Sequence, residues 1–356
     1  MSEFFFEYGL FAAKAFTGLI VFLLLIAGII MVSSRNRRDD RDGVVDLTSI
    51  NEFYEDMKDT VEAAVLDKDA YKQLLKEQKK QDKLDSKQRK KDTKKGVDKE
   101  QEEKKRIYVL DFDGDIKASE VEPLREEISA VLTFARPIDE VVIRLESAGG
   151  MVHTYGLAAS QLARIKASGI SLTVCVDQVA ASGGYLMACL ADRLIAAPFA
   201  LVGSIGVIAQ VPNFNRVLKK HDVDYEMFTA GEYKRTVTMF GENTEKGKQK
   251  FIEELEDTHA LFKEFVIEYR PQLDIEKVAT GEVWFGKRAL DEKLVDELST
   301  SDDYLMTACD DADVFRVRYE MKKSLQERLS EMAIQTTEGV VSKIWSRVSN
   351  SRFMTR

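Results

Sequence analysis

Short apolar runs bounded by turn residues recur along the middle of the chain, and several are followed by stretches of helical spacing. Residues 107–112 (Ile-Tyr-Val-Leu-Asp-Phe) run into Asp113-Gly114, a strand and turn signal. Helical spacing follows over 121–134, then a strand over 140–145, a helix over 154–166 closed by Gly169, and a strand over 171–176. A loop and a small-residue helix starting at Ser182 come next. Further strands are predicted at 193–196, 205–210 and 225–229, then a long amphipathic helix over 245–269. This alternation predicts an α/β domain with mainly parallel strand pairing.

The two ends depart from that rhythm. Between Lys14 and Arg35 lie twenty uncharged residues, 15–34, long enough at about 1.5 Å per residue to cross a bilayer core. A cleaved signal peptide is the alternative. The acidic, Phe-rich start (Glu3, Glu7) and the lack of a small-x-small site favour an uncleaved anchor. Residues 51–103 are dense in charge and poor in Leu and Val, so they bury little apolar area. A weak helical stripe (Val61, Val65, Tyr71, Leu74, Leu75) precedes the charge run. Acidic residues interrupt every basic cluster there, which favours a solvated, partly helical spacer over a lipid-headgroup contact. Beyond 302 a strand over 314–319 and an amphipathic stretch (Leu325, Leu329, Met332, Ile334) suggest a tail available for contact with a neighbouring copy.

Charge sharpens this division. The chain of 356 residues carries a net charge of −9, which argues against a nucleic-acid-binding protein. Residues 67–106 nevertheless hold 16 Lys and Arg against 10 Asp and Glu, so a basic spacer sits beside a more acidic globular part. Three cysteines (Cys175, Cys189, Cys309) with no C-x-x-C pair offer neither a disulfide framework nor a zinc site.

Candidate chemistry is sparse. Of three histidines, His259 falls in the long helix and His221 at a helix end. His153, after the Gly149-Gly150 turn, is the least poor member for a Ser-His-Asp triad, but no G-x-S-x-G elbow is present. The segment 178–185 is more informative. It places Ser182 after a buried strand and at a helix start, where free N–H groups favour a developing oxyanion. Gly183 leaves its N–H accessible, and the Ser147-Ala-Gly-Gly150 turn offers a second donor at the same sheet edge. Glycines that serve only helix packing are the plain alternative.

Five motifs occur in order: Glu146-Ser-Ala-Gly-Gly150, Ala180-Ala-Ser-Gly-Gly-Tyr185, Gly203-Ser-Ile-Gly-Val207, Gly231-Glu-Tyr-Lys-Arg235, and Val283-Trp-Phe-Gly-Lys-Arg-Ala289 with Leu294-Val-Asp296. Over about 106–298 this resembles the signal peptide peptidase A family of membrane serine proteases. Ala148 stands where that family usually has proline. The resemblance implies a ClpP/crotonase-like α/β fold with an N-terminal transmembrane helix and a charged, partly helical extension. It implies a Ser-Lys dyad with Ser182 as nucleophile and Lys234 as general base. Ser204 would orient the lysine, and Gly183 with one of Gly149 or Gly150 would form the oxyanion hole. In such relatives the lysine can come from a neighbouring unit, so one catalytic unit per chain implies a homo-oligomer.

A lysine acts as a base only when neutral, and its free pKa of about 10.4 is too high for that near neutral pH. Burial away from carboxylates lowers it. Tyr233, Thr236, Val237, Met239 and Phe240 give Lys234 an apolar sequence setting, flanked by Glu232 and Arg235. The uncharged run 194–215 invites assignment as a second span, but Pro198, Gly203 and Pro212 argue for strands and turns. A span there would also separate Ser182 from Lys234 across the membrane.

The expected organisation is a flank (1–14), an anchor (15–34), a charged extension (35–105), a Ser-Lys protease domain (106–300) and a tail (301–356). Expected partners are peptide or protein substrates, membrane lipid around the N-terminal helix, and further copies of the chain, with no nucleic acid, metal or organic cofactor. The resemblance favours an inner-membrane protein with a periplasmic catalytic domain, whereas Arg35, Arg37, Arg38 and Arg41 point that side to the cytoplasm. A scaffold that kept the fold without catalysis, and an acyl-CoA enzyme of crotonase type, are the competing readings.

Overall fold

The computed structural model describes residues 43–67 and 104–321, with scattered positions among 14–17 and 69–83. Nearly all of the expected anchor, the extension over 84–103 and the chain beyond 321 lie outside the described residues. Among the described residues no helix is long and apolar enough to cross a membrane. Residues 45–320 form one unit.

The elements are β1 (Gly43–Ser49), α1 (Ile50–Val65), β2 (Arg106–Gly114), α2 (Val121–Leu132), β3 (Glu140–Ser147), α3 (Val152–Ala167), β4 (Ser171–Val176), β5 (Val179–Ala181) and α4 (Gly183–Ala188). They continue as β6 (Arg193–Ala196), β7 (Leu201–Gly203), α5 (Asn215–Lys220), α6 (Glu245–Tyr269), α7 (Ile275–Val278), β8 (Val283–Phe285), α8 (Gly286–Asp291), β9 (Glu297–Leu298), α9 (Ser301–Asp311) and β10 (Asp313–Met321).

The sheet runs in the order β1-β10-β2-β3-β4-β6-β9, and it forks at β3. Glu140 to Arg144 of β3 pair with β4, while Ser147, at its end, pairs with Ala180 of β5. From β5 a second leaf continues through β7 to the antiparallel β8. The fork carries the ends of β3, β5 and β7 to one place, and Gly149, Gly150, Ser182, Gly183 and Ser204 lie there.

Periodicity explains the layers. On β2, Ile107 and Val109 belong to a smaller apolar cluster with Cys175, Ile195 and Leu305, while Tyr108, Leu110 and Phe112 join the main core. Leu124 and Ile128 of α2 and Leu162 and Ile165 of α3 complete that main core. Burial on both faces is why the strands read as continuous apolar runs. Helix α3 ends where expected, with Gly169 at a φ of +75° just past the last turn.

Three expectations need correction. No strand forms over 205–210 or 225–229. Those residues lie in an excursion off the sheet, where no neighbouring strand supplies hydrogen bonds. The boundary at 300 falls inside the fold, because β10 pairs in parallel with β2 through Asp313↔Arg106 to Arg316↔Val109. The extension likewise does not stay apart. Asn51 of α1 donates from Nδ2 to the Cys309 and Ala312 carbonyls, and its Oδ1 accepts from the Val314 N–H. The uncharged run 194–215 forms two short strands and turns, as its prolines and glycines require.

Candidate active site

Ser182 sits at the elbow between β5 and α4 with φ +52° and ψ −117°, a conformation rarely taken by a residue with a Cβ. The elbow is held by its neighbours. The Ser182 N–H donates to the Gly203 carbonyl at 2.8 Å, and its carbonyl accepts from the Leu186 N–H at 3.0 Å. Ser204 has the same left-handed backbone, φ +51°, and its N–H donates to the Glu282 carbonyl at 2.7 Å. Since Ala181 is in register with Gly203, Ser182 and Ser204 are the next residues on adjacent parallel strands. The structure thus brings those two expected residues together.

The glycine turn after β3 meets the same elbow. A methyl group built on Gly149 would stand 2.7 Å from the Gly183 nitrogen and 2.8 Å from Ser182 Cβ, so no other side chain fits there. One on Gly150 would stand 2.1 Å from the Ile116 carbonyl oxygen. The two glycines differ in what their N–H groups do. That of Gly149 donates to Ser147 Oγ at 3.0 Å. Those of Gly150 and Gly183 have no acceptor among the described residues. Gly183 opens α4, where the first N–H groups lack an intrahelical partner. Two unsatisfied donors therefore flank a half-buried serine, which is what a carbonyl oxygen gaining negative charge requires.

Lys234 is placed differently. It is exposed, its amine has no hydrogen bond or ion pair among the described residues, and nothing links it to Ser182. The apolar setting suggested by its neighbours in sequence is therefore not realised around it within one chain. It lies in the excursion over 205–244, which is tied mainly to itself. Asn213 Nδ2 donates to the Thr238 and Gly241 carbonyls, Asn215 Nδ2 to the Phe240 carbonyl, and the Phe214 ring stacks on Phe240 at 6.0 Å. Glu232 pairs with Lys246 at 2.5 Å, which takes the flanking carboxylate away from Lys234. Large apolar side chains in this arm face outward, with Ile208 at 79% and Phe228 at 89% exposure.

The remaining candidates fall away. His153 and His221 are exposed, and His259 lies in α6 with Nε2 buried and unpartnered, none bonded to Ser182. Burial pushes the Cys175 thiol up to about 12 and raises that of Cys189, so both stay protonated and unreactive. Leu294-Val-Asp296 serves the frame. Asp296 grips the buried Arg270 guanidinium through two oxygens at 2.8 Å and accepts from the Leu194 N–H, while the Leu294 carbonyl accepts from Tyr185 Oη. Ser147 and Tyr155, which the motif reading passed over as chemistry, lie directly behind the glycine turn. A buried aromatic three residues into the helix after that turn was the only signal for Tyr155.

Residues 3–162 match the family described as Peptidase family S49 N-terminal, and residues 164–315 match Peptidase family S49. Probable protease SohB of Haemophilus influenzae is 49% identical over 342 residues, covering 96% of each chain. Probable protease SohB of Buchnera aphidicola subsp. Schlechtendalia chinensis is 47% identical over 86% of this chain and 99% of its own. A solved structure of a membrane-bound stomatin-specific protease with a substrate peptide superposes over 65% of this chain and 98% of that one. Its sequence identity is 12% and its TM-score 0.38.

Proposed function

Since the chain belongs to peptidase family S49 and is a SohB-like protease, we propose that it is a serine endopeptidase whose Ser-Lys dyad is completed between two copies of the chain. Ser182 Oγ attacks the scissile carbonyl carbon and passes its proton to the neutral Lys234 amine of a second copy. The oxyanion accepts hydrogen bonds from the Gly183 and Gly150 N–H groups. The C–N bond then breaks, the protonated lysine returns the proton to the leaving amine, and water hydrolyses the acyl-serine by the same route. Ser204, beside Ser182, orients the incoming lysine. The forked sheet that carries these groups is read as the ClpP/crotonase-like arrangement.

The observation that carries this reading is the meeting of the Gly149-Gly150 turn with the strained Ser182 elbow and the free Gly183 N–H. The exposed Lys234 on an apolar arm supports the intermolecular half, because docking against a neighbour supplies the burial that a lysine base needs. Hydrophobic polypeptides, such as signal-peptide remnants, are the proposed substrates. Residues 15–34 would anchor the chain in the inner membrane with the catalytic unit on the periplasmic side. Protease digestion of that unit in intact spheroplasts checks the side, and digestion only after lysis reverses it.

A fluorophosphonate probe and peptide hydrolysis test the chemistry. Ser182→Ala should lose both labelling and turnover, and Lys234→Ala should lose turnover with the oligomer intact. One observation favours a second reading, an inactive scaffold: among the described residues of a single chain no base is hydrogen-bonded to Ser182. Absence of labelling at Ser182 in the intact oligomer would establish that reading and end the first.

A further inference from the structure

Behind the glycine turn runs a chain of hydrogen bonds that ends on the Gly149 N–H. The Tyr155 hydroxyl lies 2.8 Å from the Asp115 carbonyl and 2.6 Å from Ser147 Oγ, and Ser147 Oγ lies 3.0 Å from the Gly149 nitrogen. A carbonyl can only accept and an amide N–H can only donate. Tyr155 therefore donates to Asp115, Ser147 donates to Tyr155, and Gly149 donates to Ser147. Reversing the Ser147–Tyr155 link would exchange the 2.8 Å bond to Asp115 for the 3.5 Å approach of Ser147 Oγ to the Gly114 carbonyl. The phenol is fully buried, with 0% exposure, and burial raises its pKa, which keeps it in the donating form.

Tyr155 also touches the other side of the site. A methyl group built on Gly183 would stand 2.4 Å from Tyr155 Cγ, so the ring forms the floor beneath that residue. One side chain thus supports both turns that carry the unsatisfied N–H groups. It packs against Gly183, and through Ser147 it pulls the Gly149 N–H inward. With the Gly149 N–H held inward, the Gly150 N–H is the free donor of that turn among the described residues.

We infer that Tyr155 and Ser147 are positioning residues for the oxyanion hole: together they select Gly150 as its second donor and fix it relative to Gly183. The inference rests on the serine-protease reading above. Neither residue is assigned contact with the substrate, so both act through the backbone.

Three variants test it on the full-length protein: Tyr155→Phe, Ser147→Ala, and the two combined. Tyr155→Phe keeps the ring under Gly183 and removes only the hydroxyl, so the fold should survive. Because loss of a whole oxyanion donor costs about 10²–10³-fold in kcat, a mis-set donor should cost about tenfold or more, with KM nearly unchanged. Affinity for a peptide boronate, whose adduct with Ser182 has a tetrahedral oxygen, should fall in parallel. The double variant should be no worse than the poorer single one, because the two hydroxyls act as a unit. Wild-type kcat in Tyr155→Phe and Ser147→Ala overturns the inference, as do losses that multiply in the double variant or that appear in KM and not in kcat. Ser182→Ala separates the premise from the inference. If hydrolysis survives that substitution, the serine reading fails whatever the other variants do. If it is lost while Tyr155→Phe is fully active, the relay alone is wrong.

Discussion

The elbow around Ser182 and the arm around Lys234 both combine glycines with apolar residues, but they reach opposite states. At the elbow each backbone group is either fixed by sheet register or left free beside the serine, and added methyl groups collide at both Gly149 and Gly150. In the arm, hydrogen bonds mostly close the loop on itself, and Phe228 and Ile208 face solvent. On the proposed mechanism, one chain finishes the nucleophile and the oxyanion donors and leaves the lysine base exposed. If the dyad is completed between copies, the difference locates where assembly enters the chemistry.

If that contrast is right, substitutions in the frame should act on stability or on chemistry in the single chain, and those in the arm on assembly. The largest stability effect should come from Arg270→Ala. This removes a guanidinium that is 2% exposed from Asp296, itself 35% exposed, so the loss should lie near the lower end for a broken buried pair, about 3 kcal/mol. Denaturant unfolding reads it directly. Gly150→Ala should come next, by driving a methyl group into the Ile116 carbonyl and displacing the free N–H. Turnover should fall about 10²-fold, on the scale of one lost donor, while fluorophosphonate still reaches Ser182.

A smaller, pH-dependent effect belongs to Glu127, which is 4% exposed. Its carboxyl accepts from the Tyr319 N–H, and its other oxygen has no partner among the described residues. Burial raises its pKa from 4.5 to about 7. Between those values the folded chain keeps a proton that the unfolded chain has lost. Stability contributed by this group therefore falls as pH rises through that window. Glu127→Gln should match the native protein near pH 4 and be more stable at pH 8, with a ceiling of about 3 kcal/mol. Melting curves at the two pH values decide it. The smallest effect on stability should come from Phe228→Asp. An exposed substitution changes unfolding by about 0.5 kcal/mol or less, yet here sedimentation should show a smaller assembly and hydrolysis should fall with it. A stable, fully assembled and active Phe228→Asp protein would detach that side chain from the contact.

The same contrast explains what could be read from the residues alone. Strands buried on both faces carry unbroken apolar runs, so β2, β3, β4 and β6 were legible with only small changes at their ends. The serine elbow and its glycines were legible because left-handed turns and close backbone approaches admit few residue types. The apolar stretches over 205–210 and 225–229 misled, since an apolar run signals burial without saying against what. Burial against another copy looks the same in sequence as burial in a sheet. Asn51 and Tyr155 were not legible in their roles. Each depends on which backbone groups the topology brings within hydrogen-bonding distance, 258 positions away in sequence for Asn51 and Cys309.

Mixing two inactive variants tests the central claim most directly. Ser182→Ala retains the lysine and lacks the nucleophile; Lys234→Ala retains the nucleophile and lacks the base. Dissociated together and reassembled, with distinct tags proving that mixed assemblies form, they should recover peptide hydrolysis that neither shows alone. Mixed assemblies that stay inactive, while reassembled wild-type protein regains its turnover, would contradict a dyad completed between copies.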